Sequence, residues 1–136
     1  MPSTPRRRRL VAAGLAAATV LCGLSVRFAF PRGAASDIAG DALYAVLIYL
    51  IVVFVSPKTR PVVVAVIAGL LCVAVEVFQL TGLPHAWAAT FPPVALVLGT
   101  GFDARDILVY LGAVVVACAS DCLVVHLRAR RRRDSA

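Results

Sequence analysis

The chain has 136 residues, 61% of them hydrophobic, with fourteen lysines and arginines against seven acidic residues and a formal net charge of +7; its mean hydropathy is +0.91. Apolar content so far above the roughly 45–50% of soluble domains excludes an ordinary water-soluble fold and makes lipid the expected solvent. The basic residues gather at residues 6–9 and 128–133 rather than over a surface, a membrane pattern and not a nucleic-acid footprint, so no nucleic-acid partner is expected.

Crossing about 30 Å of hydrocarbon takes roughly 17–25 residues at about 1.5 Å each. Four stretches qualify: residues 10–30, 38–55, 61–80 and 104–127. The first follows a basic run and has the outline of a signal peptide. Its apolar run exceeds the usual length of about 7–15 residues, no small-x-small cleavage site follows, and Leu21 spoils Cys22 as a lipoprotein acceptor. It therefore reads as a first span with the arginines at 6–9 as a cytoplasmic anchor. It ends before Pro31-Arg32-Gly33, and the second span stops at Ser56-Pro57, where proline removes a backbone donor and biases its predecessor away from helix. Pro61 suits the first turn of the third span, and Asp103 can cap the fourth, with Asp106 three residues on in a capping-box relation.

Residues 83–102 carry no formal charge and could count as a fifth span on hydropathy alone. Pro84, Pro92, Pro93, Gly99 and Gly101 oppose a continuous helix, and an odd count would put the two arginine clusters on opposite sides. Residues 91–98 are therefore expected as an interfacial or re-entrant piece, with Trp87 as an interface anchor. The expected fold is all-α: a polytopic bundle of four transmembrane helices with this short segment between helices 3 and 4, and basic tails at 1–9 and 128–136. Both termini are expected in the cytoplasm and the chain in the inner (cytoplasmic) membrane. That topology places eleven of the fourteen basic residues inside, against Arg27, Arg32 and Arg105 outside.

The cysteines, Cys22, Cys72, Cys118 and Cys122, all fall in apolar runs and read as small buried hydrophobes. Cys118, Cys122 and His126 share a helical stripe that could offer metal ligands, but a fourth ligand is hard to name, and neither metal nor cofactor is expected. Asp121 reads as a solvated or locally paired residue at the cytoplasmic edge, Tyr49 as packing or a lipid contact, and His85 as an exposed loop residue.

Other polar residues are harder to reconcile with lipid. With each span centred in the bilayer, Glu76 lies about 7 Å, Asp41 about 9 Å, and Arg27, Gln79 and Asp106 about 12–14 Å from the midplane, all toward the outer face. Asp41 with Tyr44, Glu76 with Gln79, and Asp106 with Tyr110 are i, i+3 or i, i+4 pairs sharing a helix face. Asp41 and Asp106 lie near helix N-termini, so capping or solvation explains them as well as function does. Glu76 lies toward a C-terminus, where the dipole opposes its charge, and an acidic residue costs about 2.5 kcal/mol or more at the centre of a span. Its compensation is expected from Arg27 or Arg105 as counter-ion, from a Tyr44 or Tyr110 hydrogen bond, or from protonation. The candidate polar cluster is thus Arg27, Asp41, Tyr44, Glu76, Gln79, Arg105, Asp106 and Tyr110, with membrane lipids as the expected partner.

Several of these residues sit in local motifs: Ser25-Val-Arg27-Phe-Ala-Phe-Pro31, Gly40-Asp41-Ala-Leu-Tyr44, Glu76-Val-Phe-Gln79-Leu80, Leu98-Gly-Thr-Gly-Phe102, then Asp106 and Tyr110-Leu-Gly112. Over roughly residues 20–116 they resemble the small bacterial membrane proteins of the domain-of-unknown-function 2809 family. Glu76-x-x-Gln79 followed by Asp106 and Tyr110-x-Gly112 is more distantly similar to VanZ-like proteins, some of them linked to teicoplanin tolerance. Those would carry an arginine after Trp87; residues 88–93 have none, leaving Arg105 as the substitute.

The resemblance implies an uncharacterised integral membrane protein, with an outer cavity that handles a lipid or envelope precursor on the VanZ-like side. A small proton- or ion-coupled transporter, with Glu76 titrating and a homo-oligomer supplying the path, is the second reading. A membrane hydrolase using Glu76 with Asp41 or Asp106 as acid and base is the third, and no nucleophile motif or phosphate-binding loop supports it. The sequence points away from an enzyme and names no ligand.

Overall fold

A computed structural model describes residues 5–99 and 101–134. The outermost tail residues, 1–4 and 135–136, and Thr100 of the Leu-Gly-Thr-Gly-Phe run lie outside the described residues. Every regular element among those described is helical: α1 Pro5–Ala29, α2 Ala34–Val55, α3 Pro61–Gln79, α4 Leu83–Thr90, α5 Val94–Leu98 and α6 Ala104–Asp134. The four long helices, α1, α2, α3 and α6, are long and apolar enough to cross a membrane. The chain is a multi-pass membrane protein of the expected all-α class.

The helix ends follow local chemistry, with corrections at three of them. α2 starts at Ala34, four residues before the apolar run, because the Gly33 N–H donates to Ser36 Oγ at 3.0 Å and closes its first turn. α1 and α6 run on into the arginine clusters expected as tails. Arginine is a good helix former, and cations complement the dipole at the end of α6. In the first turn of α1 they oppose the dipole, and contacts with the α2–α3 loop offset this. Arg8 donates to the carbonyls of Pro57 (2.9 Å) and Thr59 (2.7 Å), and Arg9 to that of Phe54 (2.9 Å). α3 begins on Pro61 as expected.

α2 is the central helix, packed against α1, α3 and α6, while α3 and α6 also pack together. The core is made of small or slim side chains, among them Ala45, Val64, Ala68, Cys72 and Val114, which let the backbones approach closely. Only 28% of the apolar window of α3, and 6% of that of α1, is buried within the chain, so most of the apolar surface is left for lipid or other protein. α1 leans on α2 and leaves a crevice facing α6. Two cavities line it, of about 800 Å³ away from the arginine clusters and about 720 Å³ beside them, and Thr19 borders both. The cysteines are less uniform than expected: Cys72 is buried and Cys118 half-buried, whereas Cys22 and Cys122 lie on the outer surface of their helices.

An ion pair between Arg8 and Asp121 ties the arginine-rich end together. Asp121 is not simply solvated: Oδ2 accepts from Arg8 Nη2 at 2.6 Å and from the Tyr49 hydroxyl at 3.0 Å, joining α6, α1 and α2. Tyr49 is a buried hydrogen-bond donor, not a lipid contact. Nothing in the helical spacing links these three, because Asp121 lies 113 residues from Arg8 and 72 from Tyr49. Asp121→Ala should lower the unfolding free energy in mild detergent by about 1–2 kcal/mol, since it strands a partly buried guanidinium. Arg8→Ala should cost a similar amount and the double variant little more than either. Additive losses would show that the two side chains do not act as a pair.

Candidate functional site

At the other end, α3 carries two buried polar side chains one turn apart, Glu76 and Gln79. Glu76 is 0% exposed. Its Oε1 accepts from the Tyr110 hydroxyl on α6 at 3.0 Å, and its Oε2 from the Asp103 backbone N–H at 3.3 Å. Of the partners expected for it, Tyr110 is the one found. Tyr44 stacks on Tyr110 instead, with ring centroids 6.0 Å apart, and no arginine among the described residues pairs with Glu76.

The Asp103 contact also corrects the expected capping box. Asp103 does cap α6, its Oδ1 accepting from the Arg105 N–H at 2.8 Å. The backbone N–H that Asp106 would have taken in a full box is the one given to Glu76. The start of α6 is thus spliced to the end of α3 through a carboxylate on the neighbouring helix.

Gln79 is fixed by the segment between α3 and α6. Its Nε2 donates to the Leu98 carbonyl at 2.6 Å, which orients the amide and leaves Oε1 buried without a donor. The α4–α5 segment, expected as an interfacial or re-entrant piece, is two short helices broken at Phe91 and Pro92, with Trp87 packed on Phe78 at 5.7 Å. It presents Leu98 and Gly99 to the bundle. Gly99 has φ +65, and a Cβ there would lie 2.6 Å from Gln79 Nε2.

These groups border the 800 Å³ cavity. Arg27, Asp41, Tyr44, Gln79, Arg105, Asp106 and Tyr110 all line it. Glu76 sits directly behind Tyr110, so the structure brings all eight sequence candidates to one region. Arg105 lies 3.5 Å from Asp106 Oδ1 and 3.7 Å from Asp103 Oδ2. Asp41, on α2, lines the same cavity as Asp106 and Arg105. Arg27 shares the cavity but is exposed and makes no ion pair with a described residue.

Sequence reasoning missed the Asp103 N–H, the Leu98 carbonyl and Gly99, and also Arg32 and Asp37 on the cavity wall. Backbone groups carry no residue signature. Gly99 had one, in the paired glycines of Leu-Gly-Thr-Gly, but it marks a turn rather than an amide partner.

No metal-binding group of three or more His, Cys, Asp or Glu side chains occurs among the described residues. Chemically the site is a half-open apolar pocket with carboxylates and an amide inside and guanidinium groups near its rim. It can bind and orient a ligand, and it can hold protons on its carboxyl groups.

Gly99→Ala should lower stability by about 2–4 kcal/mol. At φ +65 and ψ −170 the backbone takes a conformation open essentially to glycine alone, worth about 1–3 kcal/mol, and the Gln79 amide must also leave Leu98 to make room. Gly101→Ala, where a Cβ meets nothing within 4 Å, is the control and should unfold like wild type in detergent thermal melts. Equal melting of both variants would contradict the tight Gln79–Gly99 approach.

The model of one protein family, described as protein of unknown function (DUF2809), matches residues 30–114. The match takes in α2 to α5 and the first third of α6, hence every cluster residue except Arg27, and begins one residue after α1 ends. Among curated proteins and among solved structures nothing matches. With the family model covering well over half of its length, the chain belongs to the DUF2809 family of proteins of unknown function.

Proposed function

We propose that this protein binds a membrane amphiphile, a lipid or lipid-linked envelope precursor, in the cavity between α1 and α6, with the polar cluster reading its headgroup. The observation that carries the proposal is the pairing of a half-open pocket of about 800 Å³, within the usual range for ligand sites, with polar groups not consumed by the fold. Asp106 Oδ1 and Gln79 Oε1 are buried acceptors without hydrogen-bond donors. Apolar residues of α1 and α2, such as Leu24 and Leu47, line the same pocket and suit an acyl chain.

In this reading the arginine-rich end faces the cytoplasm and the cavity opens toward the outer leaflet, as the distribution of basic residues supports. The distant VanZ-like pattern of Glu76, Gln79, Asp106 and Tyr110 points the same way. Glu76 orients Tyr110 at the back of the pocket and does not itself touch the ligand.

A second reading, proton- or ion-coupled transport, draws support from Asp41 and Asp106, two carboxyl groups lining one cavity. Glu76 is the deeper group and less accessible than the notion of a lone titrating glutamate requires. Uptake by reconstituted vesicles that tracks an imposed pH gradient, and fails with Asp41→Asn, would favour this reading over amphiphile binding.

The binding reading has a steric test. Gly40 lines the cavity, and a Cβ built on it meets nothing within 4 Å, so Gly40→Phe should fill the pocket without disturbing the bundle. Gly112 is also unobstructed and does not line the cavity. Native mass spectrometry of protein extracted in mild detergent should find bound lipid on wild type and Gly112→Phe, reduced at least tenfold on Gly40→Phe. Equal lipid on all three would remove the cavity as the binding site.

A further inference from the structure

We infer that the headgroup this cavity selects is zwitterionic: a primary ammonium held among Asp41, Asp106 and Gln79, with a phosphate on Arg27 and Arg32, as in an aminophospholipid. The inference rests on the proposed amphiphile binding and adds the chemistry of the headgroup.

The inner wall gathers carboxylate and amide acceptors, with Arg105 beside them. Gln79 Oε1 is a donorless atom on a side chain only 7% exposed, and Asp106 Oδ1 has the Arg105 guanidinium at 3.5 Å. Asp41 and Asp106 line the same cavity, and a cation bound between two carboxylates relieves their repulsion. An ammonium supplies a positive charge and three N–H donors. A trimethylated ammonium supplies the charge without donors, and a hydroxyl supplies a donor without the charge.

The mouth is the complement. Arg27 and Arg32 line the cavity, are exposed, and have no ion-pair partner among the described residues. Guanidinium groups bind phosphate through paired N–H donors. A cationic mouth over an acidic interior disfavours a purely anionic headgroup, whose charge would meet Asp41 and Asp106. A purely cationic amphiphile would leave the two arginines unanswered.

The test measures binding of three lipids with matched acyl chains to the full-length protein in mild detergent, by native mass spectrometry or tryptophan fluorescence. Phosphatidylethanolamine should bind about tenfold more tightly than phosphatidylcholine or phosphatidylglycerol. Asp106→Asn, which keeps shape and removes charge, should reduce the preference over phosphatidylglycerol to threefold or less. Arg27→Gln with Arg32→Gln should weaken phosphatidylethanolamine about tenfold and a long-chain alkylamine, which has no phosphate, by less than twofold. Soluble glycerophosphoethanolamine should bind at least a hundredfold more weakly than the lipid; comparable binding would assign the site to a soluble phosphoamine and overturn the lipid. Equal or tighter binding of phosphatidylglycerol, or a preference unchanged in Asp106→Asn, would overturn the zwitterion inference while leaving amphiphile binding intact. Failure of all three lipids to bind would overturn the binding proposal itself.

Discussion

A carboxyl group in the last turn of an apolar helix cannot be left to the lipid. Glu76 would face hydrocarbon on one rotation of α3 and the bundle on another, and the desolvation cost of a bare carboxylate selects the second. Once it turns inward it needs donors, and the bundle has few. Tyr110 supplies one from the second turn of α6, and the backbone of Asp103 supplies the other from just before that helix begins. These two bonds fix the rotation of α3, the height of α6 against it and the point where α6 starts. Gln79, one turn further on, has the same problem and solves it with the Leu98 carbonyl, which brings the α4–α5 segment under the rim of the bundle.

The opposite end is organised by a different pair under the same constraint. Asp121 on α6 is too deep to be indifferent to its surroundings and is answered by Arg8 and Tyr49. α1 is tied to α6 through this pair at the arginine-rich end and otherwise packs on α2, and the crevice between α1 and α6 holds a cavity toward each end. The Glu76 and Gln79 layer borders the one away from the arginine clusters.

The architecture was legible because its signals are long. Apolar runs of about twenty residues, prolines at 57 and 61, and arginines gathered at the two ends of the chain decide the number of spans and their pairing. The polar layer was legible in outline because Glu76, Asp41 and Asp106 stand out against their neighbours and fall at similar depth. What escaped was specific pairing. Asp121 and Arg8 are 113 residues apart, and either could have been answered by solvent or by another charge in the arginine clusters. The donor to Glu76 from Asp103 is a backbone group, invisible to a reading of side chains. Helix ends also ran past the hydrophobic segments, because hydropathy marks the lipid-facing length while Ser36, and arginine's own helix propensity, set where the hydrogen bonding stops.

The central claim is that Glu76 and Tyr110 are joined inside the bundle. A double-mutant cycle on unfolding in mild detergent, with Glu76→Ala, Tyr110→Phe and both together, isolates their interaction from the packing each change also disturbs. The account predicts a coupling of about 1–2 kcal/mol, as for a hydrogen bond to a buried charged group. Losses that add to within about 0.3 kcal/mol would mean the two side chains do not meet, and the polar layer would lose the bond that organises it.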